Sequence, residues 1–144
     1  MRAKLAQENL IKDSEIPYSI VRATQFFEFV SRIADAATDG NQVRVPPAFI
    51  QPIAADDVAT AVTKAAIGTP LNGMVEIAGP QRFHFDELIR QNLAASNDSR
   101  EVIVDPGARY FGVKPGELGL VAAGEASLGA MRFENWLTRV TSAR

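Results

Sequence analysis

The sequence predicts an α/β layered fold containing part of a parallel sheet. Helical and extended patterns alternate along the chain, as they do where helices cover a sheet. The stretch Tyr18-Ser19-Ile20-Val21-Arg22 has too little alternation for a strand with one face in water, so it reads as buried on both faces and parallel. A later helix sets Ala55, Val58, Ala59, Val62, Ala65 and Ala66 on one face, small enough for close packing on a sheet. The 144 residues are the size of one domain, spanning 1–144, and can bury a sizeable core.

The elements follow in order. Over residues 2–13, Ala3, Ala6, Leu10 and Ile11 form an apolar stripe of helical period, with Lys4, Glu8 and Lys12 opposite. Pro17 ends this helix, because the residue before a proline is pushed out of the α region. After the strand over 18–22, a second helix starts at Ala23 or Thr24. It places Phe26, Phe29, Val30, Ile33, Ala34 and Ala37 on one face, and Gly40 stops it in a left-handed conformation. Gln42-Val43-Arg44-Val45 is a short strand broken by Pro46-Pro47, and residues 48–53 continue extended. Asp56 and Asp57 mark a helix start, where carboxylates accept from first-turn amides and oppose the positive end of the dipole.

Turn residues from Gly68 to Gly73 lead into a strand from Met74 to Ala78, punctuated by Gly79-Pro80. A helix over 86–95 buries Phe85, Leu88, Ile89 and Leu93, and Glu101-Val102-Ile103-Val104 is a strand. Residues 105–130 are glycine-rich loop with at most short elements. A last helix from 132 to about 141 aligns Phe133, Trp136, Leu137 and Val140. Among these strands, those at Tyr18 and Met74 read as central, so the parallel sheet is incomplete beside Tyr18–Arg22.

Composition narrows the function. A formal net charge of −2 favours neither nucleic acid nor an anionic membrane as a partner. No apolar run approaches the ~18 residues of a spanning helix, and Met1–Asn9 lacks the apolar core of a secretory signal. The absence of cysteine removes disulfides, thiolate metal sites and a Cys nucleophile, and makes the cytoplasm the default location. One histidine, His84, cannot build a His-rich zinc site, so no metal is expected. Between aromatics and ahead of a helix, it reads as a structural or capping residue.

Candidate chemistry is sparse. The glycines of Gly112–Gly119 sit in neither a strand-to-helix turn nor a phosphate-loop spacing, and Pro115 removes an amide that a phosphate cradle needs. No glycine-rich dinucleotide fingerprint occurs in the chain. Asp56 and Asp57 are explained by the helix start, and Lys4 with Glu8 by an ordinary i, i+4 pair. Phe27, at the margin of its helix's apolar stripe, is a candidate pocket-lining aromatic.

The order of several segments resembles the later part of an atypical short-chain dehydrogenase/reductase in the NmrA-like and NAD(P)-binding sugar-epimerase-like branch. The segments are Lys4-Leu5-Ala6-Gln7-Glu8 before Ile16–Arg22, then Ile53-Ala54-Ala55-Asp56-Asp57-Val58-Ala59, Val75–Pro80, Phe85-Asp86-Glu87-Leu88 and Arg132–Leu137. The resemblance implies the carboxyl-terminal portion of a Rossmann-like doubly wound fold, with a small substrate-side α/β lobe. It also implies NAD(P) as cofactor and hydride transfer to a small carbonyl, quinone-like or related acceptor. Lys4 matches the lysine of the family's Tyr-x-x-x-Lys pair, which binds the ribose hydroxyls and lowers the pKa of the tyrosine. The matching tyrosine would fall one position before Met1. Ala23, Thr24, Gln25 and Phe26 match the loop against the nicotinamide end of the cofactor, although many relatives have proline where this chain has Ala23. Phe27 and Gln51 would face substrate, and Asp57 matches a structural acidic position.

With the pyrophosphate loop and the tyrosine outside it, the chain alone is expected neither to hold the dinucleotide tightly nor to catalyse. Two other readings come from different classes: a non-catalytic NAD(P)-sensing regulator, and an interaction module. In the second, an open sheet edge pairs with another copy to give a homo-oligomer.

Overall fold

The computed structural model describes residues 2–69, 72–110, 120–122 and 126–142, with side chains from residue 5 onward. Helix α1 (Arg2–Asp13) leads to strand β1 (Ser19–Ala23). A single 3₁₀ turn (Phe27–Phe29) runs into α2 (Val30–Ala36), followed by β2 (Thr38–Asp39), β3 (Gln42–Val45) and β4 (Phe49–Ile50). Then come α3 (Ala55–Ile67), β5 (Gly73–Ala78), β6 (Phe83–His84), α4 (Phe85–Ala95), β7 (Glu101–Val104), β8 (Ser127–Leu128) and α5 (Phe133–Ser142). The glycine segment 112–119 lies outside the described residues.

Three small sheets organise these elements. β1 and β5 pair in parallel from Ser19↔Gly73 to Ala23↔Ile77, and β8 joins β5 on its other side, also in parallel. Parallel pairing of β1 with β5 needs a crossover, and α3 supplies it. In the second sheet β3 lies between β2, antiparallel, and β7, parallel. In the third, β4 pairs antiparallel with β6.

The core sits in the lobe around the second and third sheets. Phe27 packs on Phe133 with ring centroids 5.1 Å apart and on Trp136 at 5.6 Å, while Phe83 meets Phe133 edge-on at 5.9 Å. Helix α4 buries Phe85, Leu88, Ile89 and Leu93 beneath them, as its periodicity requires.

Four expectations are corrected. The strand expected to be buried on both faces is the edge strand of its sheet: Ile20 alone is buried, and Arg22 and Ala23 are exposed. The small-residue face of α3 contains no buried residue, and Val62 is 48% exposed. Helical structure begins only at Phe27, in the 3₁₀ turn ahead of α2, because the backbone before it is spent on a parallel bridge to Ile53. Ile53 N–H donates to Gln25 O at 2.8 Å, and Phe27 N–H to Ile53 O at 2.9 Å. Gly40, at φ +63°, forms the tip of the β2–β3 hairpin rather than a helix stop.

The acidic start of α3 works differently from its sequence reading as well. Glu28 accepts from Ala55 N–H at 3.1 Å, so the helix takes its cap from another element. Asp57 instead accepts from Met131 N–H at 3.0 Å and clamps the approach to α5, a structural role.

Candidate functional site

The carboxyl end of β1 gathers four of the candidate residues in one continuous loop. Ala23 ends the strand, Thr24 N–H donates to Ile77 O at 3.2 Å, and the Gln25 carbonyl is held by Ile53. The loop is therefore fixed on one side by β5 and on the other by the chain before α3. Two of its side-chain atoms, Thr24 Oγ1 and Gln25 Oε1, are buried with no hydrogen-bond partner among the described residues. A buried polar atom without a partner costs about 1–3 kcal/mol. A side-chain rotation onto a ligand's N–H or O–H would recover that cost.

Past this loop opens a cavity of about 480 Å³, lined by Gln25, Phe26, Phe29, Arg32, Ile33 and Tyr110. Phe26 and Phe29 stand 6.0 Å apart between ring centroids, and Arg32 lies over the Phe29 ring at 5.8 Å. Burial raises the Tyr110 phenol above its ordinary value, so it stays neutral through the physiological range. A larger groove of about 690 Å³ separates α3 from the first sheet, with Val21, Val75, Ile77 and Leu128 among its apolar walls.

The remaining candidates lie elsewhere. Phe27 is 1% exposed in the aromatic core and lines neither space, so the aromatic walls of the cavity are Phe26, Phe29 and Tyr110. Gln51 is 6% exposed, and both ends of its amide are engaged: Nε2 donates to Gly79 O at 3.0 Å and Oε1 accepts from Ala122 N–H at 3.2 Å. It joins three segments of backbone. Lys4 belongs to the first turn of α1, and its side chain lies outside the described residues. The helix that carries it is tied to β1 by a two-pronged ion pair in which Arg22 Nε donates to Glu8 Oε2 at 2.8 Å and Arg22 Nη2 donates to Glu8 Oε1. His84 precedes α4 without a side-chain cap bond, and its ring packs on Phe49 at 4.4 Å.

Sequence reasoning missed Arg32, Phe29 and Tyr110 as cavity residues. In the sequence, Arg32 has Glu28 and Asp35 within helical reach and reads as a surface ion pair. Among the described residues no helix is long and apolar enough to cross a membrane, and no group of three His, Asp or Glu side chains converges as a metal site would require.

No protein-family model matches the chain, and neither does any curated protein. Among solved structures, RMD from Pseudomonas aeruginosa complexed with NADPH aligns with a TM-score of 0.59 at 16% identity, over 96% of this chain and 53% of that one. A hypothetical dTDP-4-dehydrorhamnose reductase from Sulfolobus tokodaii aligns at 0.46 and 20% identity, over 82% and 41%. The chain thus spans about half the length of the solved structures it matches. Its fold is mixed α/β and matches part of a Rossmann-like fold, with a parallel sheet and a small α/β lobe.

Proposed function

We propose that the chain is the substrate-side half of an NmrA-like NAD(P)-dependent oxidoreductase, acting on a small carbonyl or quinone-like acceptor in the cytoplasm. The observation that carries the reading is the pair of unpartnered buried atoms, Thr24 Oγ1 and Gln25 Oε1, at the carboxyl end of a parallel strand. Ligands of open α/β sheets bind at that end. The loop suits the nicotinamide end of a dinucleotide, because a carboxamide supplies the N–H donors that these two oxygens lack. Thr24 and Gln25 would hold that carboxamide, Lys4 would take the ribose hydroxyls, and Phe26 would shield the ring face from water. When bound, the cofactor supplies the hydride. Proton delivery and the pyrophosphate cradle are assigned to a glycine-rich half that continues the sheet beyond β1.

The edge of β1 away from β5, on which no strand pairs among the described residues, and the exposed apolar side chains of α1, with Leu10 74% exposed, favour a second reading. In it the chain associates with another copy through that edge and serves as an NAD(P)-sensing or interaction module.

The test titrates the chain with reduced nicotinamide mononucleotide and with NADPH, following backbone amides by NMR. Millimolar mononucleotide should shift the amides of Ala23–Phe26, and NADPH should bind no more than a few-fold tighter. Unmoved amides in that loop would sink the cofactor assignment. Micromolar NADPH binding would show a complete site and sink the half-site reading.

A further inference from the structure

We infer that the cavity beside the Thr24–Phe26 loop is a binding site for an aromatic acid, a flat ring system carrying a carboxylate. Arg32 supplies the first argument. Helical geometry offers it two carboxylates, Glu28 at i−4 and Asp35 at i+3. Both are committed elsewhere: Glu28 accepts from Ala55 N–H at 3.1 Å, and Asp35 accepts from Arg100 Nη1 at 3.0 Å. Arg22, Arg44, Arg90, Arg100 and Arg132 each have an acidic partner. Arg32 has no carboxylate within ion-pair distance among the described residues and lies instead over the Phe29 ring. A guanidinium attracted to an aromatic face through its charge spends no N–H on a hydrogen bond there, and its N–H edges match a carboxylate with two parallel hydrogen bonds.

The walls supply the second argument. Phe26, Phe29 and Tyr110 give the cavity three aromatic rings, which select a flat apolar body over a branched one. The volume of about 480 Å³ lies inside the ordinary range for small-molecule sites. Tyr110 is itself held against Phe85, ring centroids 6.1 Å apart, so one wall is braced by the core. Gln25 and Phe26 belong both to this cavity and to the proposed nicotinamide loop. The assignment rests on the oxidoreductase reading only in making the aromatic acid the hydride acceptor; the binding itself does not depend on it.

The experiment is a calorimetric and ligand-observed NMR titration with 1-naphthoate and with its uncharged counterpart 1-naphthalenemethanol, both without dinucleotide. Wild type should bind naphthoate saturably at about millimolar or tighter, as expected for so small a ligand. Arg32→Gln, at an exposed position, should weaken naphthoate about tenfold and the alcohol less than twofold. Arg32→Lys should fall between them, and Phe29→Ala should weaken both ligands alike. Absence of saturable naphthoate binding, an unchanged affinity in Arg32→Gln, or amide shifts away from residues 25–33 would each overturn the assignment. Because dinucleotide is left out, naphthoate binding can fail while the Ala23–Phe26 shifts with the mononucleotide stand, and the reverse.

Discussion

Gly79 crosses Pro52 with no room for a side chain: a Cβ at Gly79 would stand 1.5 Å from the Pro52 carbonyl oxygen. Gln51 secures the same crossing by donating to Gly79 O. The crossing fastens the end of β5 to the segment whose Ile53 holds the candidate loop, so the site depends on it. Overpacking against backbone costs about 1–3 kcal/mol or more. Gly79→Ala should therefore destabilise the fold by about the upper end of that range or more, read as a lowered urea midpoint at unchanged slope. Gly107→Ala is the control, since its nearest neighbour, Asp105 Oδ1, stands at 3.4 Å. Equal midpoints for the two variants would show that the crossing yields at little cost.

The Arg22–Glu8 pair gives a second prediction. Helix α1 has 12 residues, and Leu5 and Leu10 on it are exposed. An isolated helix of that length is marginal in water. Arg22→Ala should therefore raise amide exchange rates across residues 5–13 while protection in α4 stays unchanged. Global stability should fall by no more than about 1 kcal/mol, because the arginine is substantially solvated. Retained protection in α1 would mean that some other contact anchors the helix.

What the sequence made legible was set by periodicity. The stripes of α4 and α5 and the strand β7 depend on local pattern, and the structure has them within one or two residues of their expected bounds. The start of α2 was not legible, because the pairing of Gln25 and Phe27 with Ile53 spans more than 25 positions and leaves no local signature. The apolar content of β1 and α3 pointed to a buried sheet, whereas among the described residues β1 is an edge strand and α3 buries no residue. The Ala23–Phe26 loop entered as a candidate through the family resemblance, and its place at the carboxyl end of a strand agrees with the pattern of open α/β sheets. Phe27 drew attention as an aromatic at the edge of a stripe, yet a shift of the helix start by a few residues turns it into the core. Arg32 was hidden because the commitment of Glu28 and Asp35 to distant partners is a tertiary fact.

A third prediction concerns acid. Arg100 bonds the Asp98 carboxylate through its side chain and also through its backbone N–H at 3.0 Å, which holds Asp98 below the usual carboxylate range. Asp35 and Thr38 meet the same guanidinium, tying the end of α2 and the start of β2 to the loop before β7. A carboxyl group with a depressed folded-state pKa stabilises the fold above its unfolded value, near 4, and that contribution fades as pH falls through the folded value. Wild type should therefore exceed Asp98→Asn in stability at neutral pH, and the gap should close below about pH 4. Denaturation profiles that stay parallel down to about pH 2 would assign the loss to packing rather than charge.

The open edge of β1 can be tested with one proline. Tyr18 O accepts from Asn72 N–H at 2.7 Å and Thr24 N–H donates to Ile77 O at 3.2 Å, so the even-numbered residues of this strand face β5. By alternation the backbone N–H and C=O of Val21 and Ala23 point to the opposite side, where among the described residues no strand pairs with them. Proline is tolerated on an edge strand when its missing N–H faces outward, and Arg22 before it is already extended. Ala23→Pro should leave the β1–β5 ladder intact and remove a donor that any added strand would need. If copies of the chain associate through this edge, wild type should sediment as a concentration-dependent oligomer and Ala23→Pro as a monomer with an unchanged circular dichroism spectrum. A wild type that stays monomeric at high concentration would rule out self-association. An Ala23→Pro variant that still associates would move the contact to another surface, the exposed apolar side of α1 being next to test.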